Sequence, residues 1–118
     1  MLNLTCALIL SVLPALAVDV SGTWQLIVDT NQGTGSPTVV FQQIGEELTG
    51  TFSSHVLGES SVTGTVRGNQ IAFQFSGEVR GQTVSVSYKG VIQSPTSMKG
   101  TAIYEGFDVK ATWSGKKK

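Results

Sequence analysis

The sequence predicts an all-β protein, an eight-stranded antiparallel up-and-down β-barrel preceded by a hydrophobic N-terminal leader. Three observations predict this fold. Apolar and polar residues alternate with a period of two after residue 17, which is typical of strands with one buried and one solvated face. Turn-forming residues interrupt the alternation about every 12 to 13 residues, close to the spacing of a meander of short strands. A short unit containing glycine also recurs along the chain.

Residues 1–17, MLNLTCALILSVLPALA, predict a secretory signal peptide. The apolar run ends in Ala15-Leu16-Ala17, a small-x-small pattern that places cleavage before Val18. No Lys or Arg precedes the run, and the 18 residues from Met1 to Val18 are near the lower limit of about 17 for spanning a bilayer. An uncleaved membrane anchor is therefore the alternative. The expected organisation is a leader at 1–17 and one barrel domain at 18–118, periplasmic or secreted, or anchored and facing the periplasm.

The composition excludes several classes of protein. Lys plus Arg and Asp plus Glu number 8 each, and charged residues make up 14%, against about 25% in an average domain. This balance argues against nucleic-acid binding through a broad basic face. The single cysteine, Cys6, lies in the leader, so residues 18–118 have no thiol for a disulfide, a nucleophile or a metal ligand.

The strands can be placed in order by their alternation and by the turns between them. Trp24, Leu26 and Val28 give the inward phase of the first strand. Closure into a barrel is favoured because a flat sheet would leave two edges and an apolar face exposed. The eight strands are predicted at 20–30, 37–44, 47–53, 60–67, 70–77, 82–92, 97–104 and 107–115.

The connections between these strands are marked by Gly, Asn and Pro. Gly45-Glu46-Glu47 and Gly68-Asn69 predict tight hairpin turns, because Gly and Asn tolerate positive φ. Asn31–Ser36 is expected to be a flexible hairpin loop, and Ser53–Ser60 the longest connection. The later hairpins are closed by Arg80-Gly81, Ser94–Ser97 and Glu105-Gly106.

The repeated unit is apolar-x-Gly-x-variable. Glycine within a strand marks a sharp bend or a close backbone approach, so these glycines predict the coiling points of a tight barrel. The alternative is that they are hairpin ends repeated by chance. The six copies are Val20–Trp24, Leu48–Phe52, Val62–Val66, Tyr88–Ile92, Met98–Ala102 and Trp113–Lys117.

At Gly22-Thr23-Trp24, Leu48–Phe52 and Thr112–Gly115 the chain resembles the calycin barrels, which include lipocalins and avidins. The resemblance implies a barrel with the first-strand Trp plugging one end, and extends to small bacterial extracytoplasmic barrels of largely undefined function. The chain departs from the avidin pattern at Leu26 and Phe52, where avidins have Asn and Tyr. Those side chains would hydrogen-bond the ureido oxygen of biotin, so biotin binding is not expected.

The candidate site is the barrel interior, where the resemblance implies a small apolar ligand. An eight-stranded barrel is just wide enough for its own side chains or one small ligand, so a filled core is the alternative interpretation. Gln43 and Tyr88 are polar groups on the inward phase and are expected to meet a ligand first. The predicted ligand-binding residues are Trp24, Phe41, Gln43, Phe52, Phe73, Phe75, Tyr88, Tyr104 and Trp113.

Other candidate sites are weaker. His55, with Glu59 four residues on, could be a metal ligand or general base, but a lone His without Cys or clustered acids is a poor metal site, so an exposed loop histidine is favoured. Gly33-Thr34-Gly35 precedes a strand rather than a helix and does not predict a phosphate loop. Lys116–Lys118 could contact anionic lipid or a partner, or be a solvated terminus.

Two functions remain open, and neither is catalytic, since no nucleophile with an orienting base can be identified. The first is an extracytoplasmic module that binds a small apolar ligand in or at the mouth of the barrel, without metal or cofactor. The alternative is a structural or accessory subunit that docks by its outer face on a larger membrane-associated or extracellular assembly, anchored if the leader is retained. An outward apolar patch at Ile27, Val40 and Ile44 would favour the second, and an internal cavity the first.

Overall fold

The computed structural model describes residues 18–55, 57–105 and 109–118. The predicted leader, with Cys6, and Gly106 of the last predicted turn lie outside the described residues. Among the described residues, no helix is long and apolar enough to cross a membrane. The strands are β1 (Gly22–Thr30), β2 (Gly33–Gly35), β3 (Thr38–Ile44), β4 (Glu47–Ser54), β5 (Gly58–Arg67), β6 (Gln70–Val79), β7 (Gln82–Ser94), β8 (Ser97–Glu105) and β9 (Val109–Lys117).

The strands from β3 to β9 pair antiparallel in sequence order, and β1 pairs with both β3 and β9. The β1–β9 ladder runs from Trp24 opposite Lys117 to Asp29 opposite Thr112. This ladder closes an eight-stranded up-and-down barrel and removes both sheet edges. The predicted fold class is confirmed.

The segment Asn31–Ser36 is not the flexible loop that the sequence predicted. Gly33–Gly35 forms the short strand β2, which pairs with the end of β1. Local side-chain hydrogen bonds hold this hairpin: the Thr34 hydroxyl donates to Asp29 Oδ1 at 2.7 Å, and the Gln32 amide donates to Thr30 Oγ1 at 3.0 Å. These bonds restrict the backbone of the hairpin, which the two glycines alone would leave flexible.

Two further predictions are corrected. The connection after β4 has three residues, 55–57, because β4 continues to Ser54, which pairs with Gly58 of β5. The C-terminal lysines are not a free tail, since Lys116 and Lys117 belong to β9. The Lys118 amide also donates to Thr23 O at 2.9 Å. The predicted hairpin turns at Gly45, Gly68 and Gly81 are confirmed, each with positive φ.

The alternation places one face of every long strand in a single core. Its residues are aliphatic and aromatic, with Tyr88 among them, and no charged residue among those described is buried. Burial of large side chains such as Trp24, Phe41 and Phe73 supplies the main driving force for closing the barrel.

The repeated glycines mark places where neighbouring strands come too close for a side chain. A Cβ atom would collide with Val40 O at Gly50, with Ala72 O at Gly64 and with Lys89 O at Gly100. These glycines lie within strands rather than at hairpin ends. They are the predicted coiling points, and the alternative of chance repetition at turns is wrong for them.

Candidate ligand site at the open end of the barrel

The two ends of the barrel differ in how they are covered. We call the end with the turns after Ile44, Arg67 and Ser94 the closed end, and the opposite end, with β2, Leu57 and the turn at Gly81, the open end. At the closed end Trp24 is fully buried, and its indole Nε1 donates to Val20 O at 2.9 Å. The first-strand tryptophan therefore plugs this end, as the resemblance implied.

Gln43 also seals the closed end. Its Oε1 accepts from the Val20 amide at 2.8 Å, and its Nε2 donates to Gly45 O at 3.0 Å. Gln43 was expected to be among the first residues that a ligand meets. In the structure both ends of its amide are occupied by backbone partners, at the end opposite β2.

The middle of the barrel is occupied by aromatic rings. Phe52 stacks on Phe75 with centroids 4.1 Å apart, and Phe73 stacks on Tyr88 at 4.8 Å. Trp113 contacts both Phe73 and Tyr88, at 6.0 and 5.6 Å. These separations are those of packed aromatic pairs. Six of the predicted lining residues thus form one aromatic cluster, Phe41, Phe52, Phe73, Phe75, Tyr88 and Trp113.

Trp113 is held by the backbone of two other strands. Its Nε1 lies 3.2 Å from Lys89 O on β7 and 3.1 Å from Thr101 O on β8, two residues that face each other in register. Its ring also covers Gly90, where a Cβ would lie 2.7 Å from Cζ2. The indole therefore fixes the wall of the barrel from inside.

A pair of tyrosine hydroxyls joins this cluster to the open end. The Tyr88 hydroxyl lies 3.4 Å from that of Tyr104, and either can be the donor. The ordinary O–H···O distance is about 2.7–2.8 Å, so this bond is weak and leaves capacity for another partner. Burial raises the pKa of Tyr88, and Tyr104 adds to the effect. A phenol is already protonated at neutral pH, and the raised pKa of Tyr88 extends this protonated state to higher pH.

Leu57 covers part of the rim at the open end, where Tyr104 also lies near the end of β8. Both side chains are half-buried and pack against the core. Leu57 lies over Gly77, where a Cβ would come within 3.1 Å of its Cδ2, and its amide donates to Ser54 Oγ at 2.9 Å. Sequence reasoning missed Leu57. The available signal was Gly77, a glycine on the inward phase of β6 that leaves room for a side chain from another element.

The other residues that the sequence singled out lie on the outer surface of the barrel. His55 is exposed in the turn after β4, and Glu59 is exposed on β5. Within the described ranges no three His, Cys, Asp or Glu residues are grouped to hold a metal ion. Ile27, Val40 and Ile44 are exposed, by 48%, 42% and 82%. They do not form one patch, because Ile44 is four residues, about 13 Å, from Val40 along β3. Val40 faces Thr23 on the neighbouring β1, and Ile27 is a further four residues away along that strand, in the opposite direction from Ile44.

Two grooves lie on the outer wall. The larger, of about 810 Å³, crosses β5 to β9 and reaches β1. The smaller, of about 630 Å³, lies over β5 to β8 and is lined mainly by hydroxyl and amide side chains.

No protein family matches this chain, and no curated protein does. Solved structures do match it. A redesigned β-barrel, b11L5F_LGL, is 19% identical with a TM-score of 0.68, covering 84% of this chain and 91% of that one. A second redesigned β-barrel, mFAP1, bound to DFHBI, is 15% identical with a TM-score of 0.61, covering 83% and 94%. At these identities the likeness concerns the fold, which is consistent with a calycin-like barrel.

Proposed function

We propose that this protein is a non-enzymatic binding module that takes a small, flat, largely apolar molecule with one hydrogen-bonding group at the open end of the barrel. The observation that carries the proposal is the Tyr88–Tyr104 hydroxyl pair, which lies between the aromatic cluster and the rim. The 3.4 Å between the two oxygens is too long for a hydrogen bond that satisfies both groups. The core around this pair is otherwise apolar in the described part of the chain. A polar group of a ligand that enters from the open end would therefore meet these two hydroxyls.

The proposed complex uses three parts of the site. A ligand displaces Leu57 from the rim and brings its apolar face against Phe75 and the neighbouring core. Its polar group then bonds with the Tyr88 hydroxyl, a phenol that is neutral at ordinary pH and whose pKa burial raises further. Tyr104 is half-buried at the rim and can turn to complete the hydrogen bonds of both groups.

The fold comparison supports the proposal at the level of architecture. A barrel of similar fold is described as bound to DFHBI. We extend the proposal to an extracytoplasmic location, on the strength of the predicted leader, and to binding without catalysis, on the strength of the sequence.

The test compares 2-naphthol with naphthalene, which differ by one hydroxyl, by calorimetry on the full chain. One hydrogen bond contributes about 1 kcal/mol, so 2-naphthol should bind about fivefold more tightly. Tyr88→Phe should abolish this preference and leave naphthalene binding unchanged. Tyr104→Phe, which leaves the Tyr88 hydroxyl in place, should retain most of the preference. Equal affinity of the wild-type protein for both compounds, or an unchanged preference in Tyr88→Phe, would refute the proposal.

A further inference from the structure

The charge of the barrel is distributed unevenly, although its sum is zero. Residues 18–81 contain two arginines and six acidic residues, whereas residues 82–118 contain six lysines and two acidic residues. The strands β7 to β9 are therefore basic and the strands β1 to β6 acidic. Such a distribution orients an approaching anion toward one side of the molecule.

The larger outer groove takes most of its lining from the basic strands β7 to β9 and has three cations on its walls, Arg67, Lys89 and Lys99. Lys89 faces Thr101 in the β7–β8 ladder, and Lys99 faces Val91 two positions along. The two lysines are thus diagonal neighbours, whose backbones are about 7–8 Å apart. Neither lysine has a carboxylate within ion-pair distance in the described part of the chain, where the one ion pair joins Arg67 to Glu46 at 3.7 Å.

The floor between the lysines is bare backbone. Gly90 and Gly100 face each other there, and Trp113 lies behind them inside the barrel. Because the Trp113 indole holds the carbonyls of Lys89 and Thr101, the floor is fixed from inside. The groove is a preformed depression rather than a flat charged surface.

Hydroxyl groups and apolar side chains make up much of the remaining lining. Thr101, Thr112 and Ser114 supply hydroxyls, and Val91 supplies an exposed apolar side chain. Asp29 also lines the groove, with its carboxylate accepting from Thr34. Asp29 is in register with Lys89 across β8 and β9, through Thr101 and Thr112, and is therefore three strands, about 14 Å, away. An anion is favoured at the end of the groove beside the lysines, far from this carboxylate.

We propose that this groove binds an acidic polysaccharide, a chain of sugar rings that carry carboxylates. The carboxylates would lie beside Lys89 and Lys99, the sugar hydroxyls would bond with the threonine and serine side chains, and the C–H faces of the rings would contact Val91. Single-stranded nucleic acid fits less well, because it needs exposed aromatic rings for stacking, and Trp113, the aromatic residue in the lining, is 3% exposed. A bilayer surface is flat and does not fill a depression. This site is separate from the proposed ligand site inside the open end.

The test measures binding of a galacturonic acid hexamer to the full chain by calorimetry at low salt, with maltohexaose as the neutral counterpart. The double variant Lys89→Gln/Lys99→Gln should weaken binding of the acidic hexamer about five- to tenfold, as expected for two exposed charge pairs. The control Lys110→Gln/Lys118→Gln makes the same change in net charge outside the groove and should weaken it less than about twofold.

Three results would overturn the proposal. One is an absence of hexamer binding to the wild-type protein. The second is an equal loss in both double variants, which would mean that net charge alone attracts the anion. The third is tighter binding of a thymidine dodecamer, or of phosphatidylglycerol vesicles, with the same dependence on Lys89 and Lys99.

Discussion

Replacing Gly100 by alanine tests the physical reason for the repeated glycines. Gly100 lies in the middle of β8, opposite Gly90 and Trp113 on its two neighbouring strands. An added Cβ would collide with Lys89 O and lie 2.5 Å from Gly90 Cα and 2.7 Å from Lys89 C. All three atoms are backbone, so no side-chain rotation can relieve the contact.

The expected magnitude follows from two opposing effects. Overpacking a well-packed site costs about 1–3 kcal/mol, and the backbone obstacle places Gly100→Ala at the upper end of this range. Replacing glycine by alanine also lowers the conformational entropy of the unfolded chain, which stabilises the folded state by about 0.5–1 kcal/mol. We therefore expect a net loss of about 2 kcal/mol, which corresponds to a fall of about 8–16 °C in Tm for a domain of this size.

The matched control is Gly35→Ala. A Cβ added at Gly35 would have no atom within 4 Å, and the φ of Gly35 is not positive, so the same substitution there should be neutral or slightly stabilising. Urea unfolding followed by tryptophan fluorescence gives the free energy of unfolding of both variants. If Gly100→Ala is as stable as Gly35→Ala, β7 and β8 can move apart without cost, and close backbone approach is not the reason for glycine at position 100.

Three other predictions follow from the same contacts. Trp113→Phe removes the N–H that donates to Lys89 O and Thr101 O. It should lower the free energy of unfolding by about 1–3 kcal/mol, because both carbonyls lose this partner. An unchanged urea midpoint would show that they find other partners. Because the pKa of Tyr88 is raised above its ordinary 10.0 in the folded state, its stabilising effect is complete below pH 10 and is lost as the pH rises further. Unfolding midpoints should therefore fall above pH 10, and fall less steeply in Tyr88→Phe; parallel curves would contradict the burial of this phenol. Leu57→Ala uncovers the rim and should speed 2-naphthol association several-fold in stopped-flow measurements. The control Ile44→Ala, on the exposed outer face, should leave the association rate unchanged. An equal association rate in both variants would mean that 2-naphthol enters elsewhere.

The fold could be predicted from the sequence because its signals are local. Alternation identified the inward phase of β1, β6 and β7, and glycine identified the hairpin turns. One error occurred where side-chain hydrogen bonds restrict a backbone that glycine would otherwise leave flexible. At β2 the bonds of Thr30 and Thr34 order a segment that composition alone makes flexible.

The site could be predicted only in part, because strand phase does not show which end of a barrel is sealed. Gln43 and Tyr88 share the inward phase, yet Gln43 is bonded to backbone at the closed end and Tyr88 faces Tyr104 toward the open end. Leu57 and the pairing of Lys89 and Lys99 across the outer groove depend on contacts between distant segments. Such contacts follow from register, which a single sequence does not specify.

Whether a ligand binds at the Tyr88–Tyr104 pair can be measured from the changes in backbone amide chemical shifts when 2-naphthol is added to isotope-labelled protein. We predict the largest shifts at Leu57, Gly77 and Tyr104, around the open end, with Gly45 and Gly68 at the closed end unmoved. Shifts concentrated at the closed end or along the outer groove, or no shifts at saturating 2-naphthol, would contradict a ligand site at the Tyr88–Tyr104 pair.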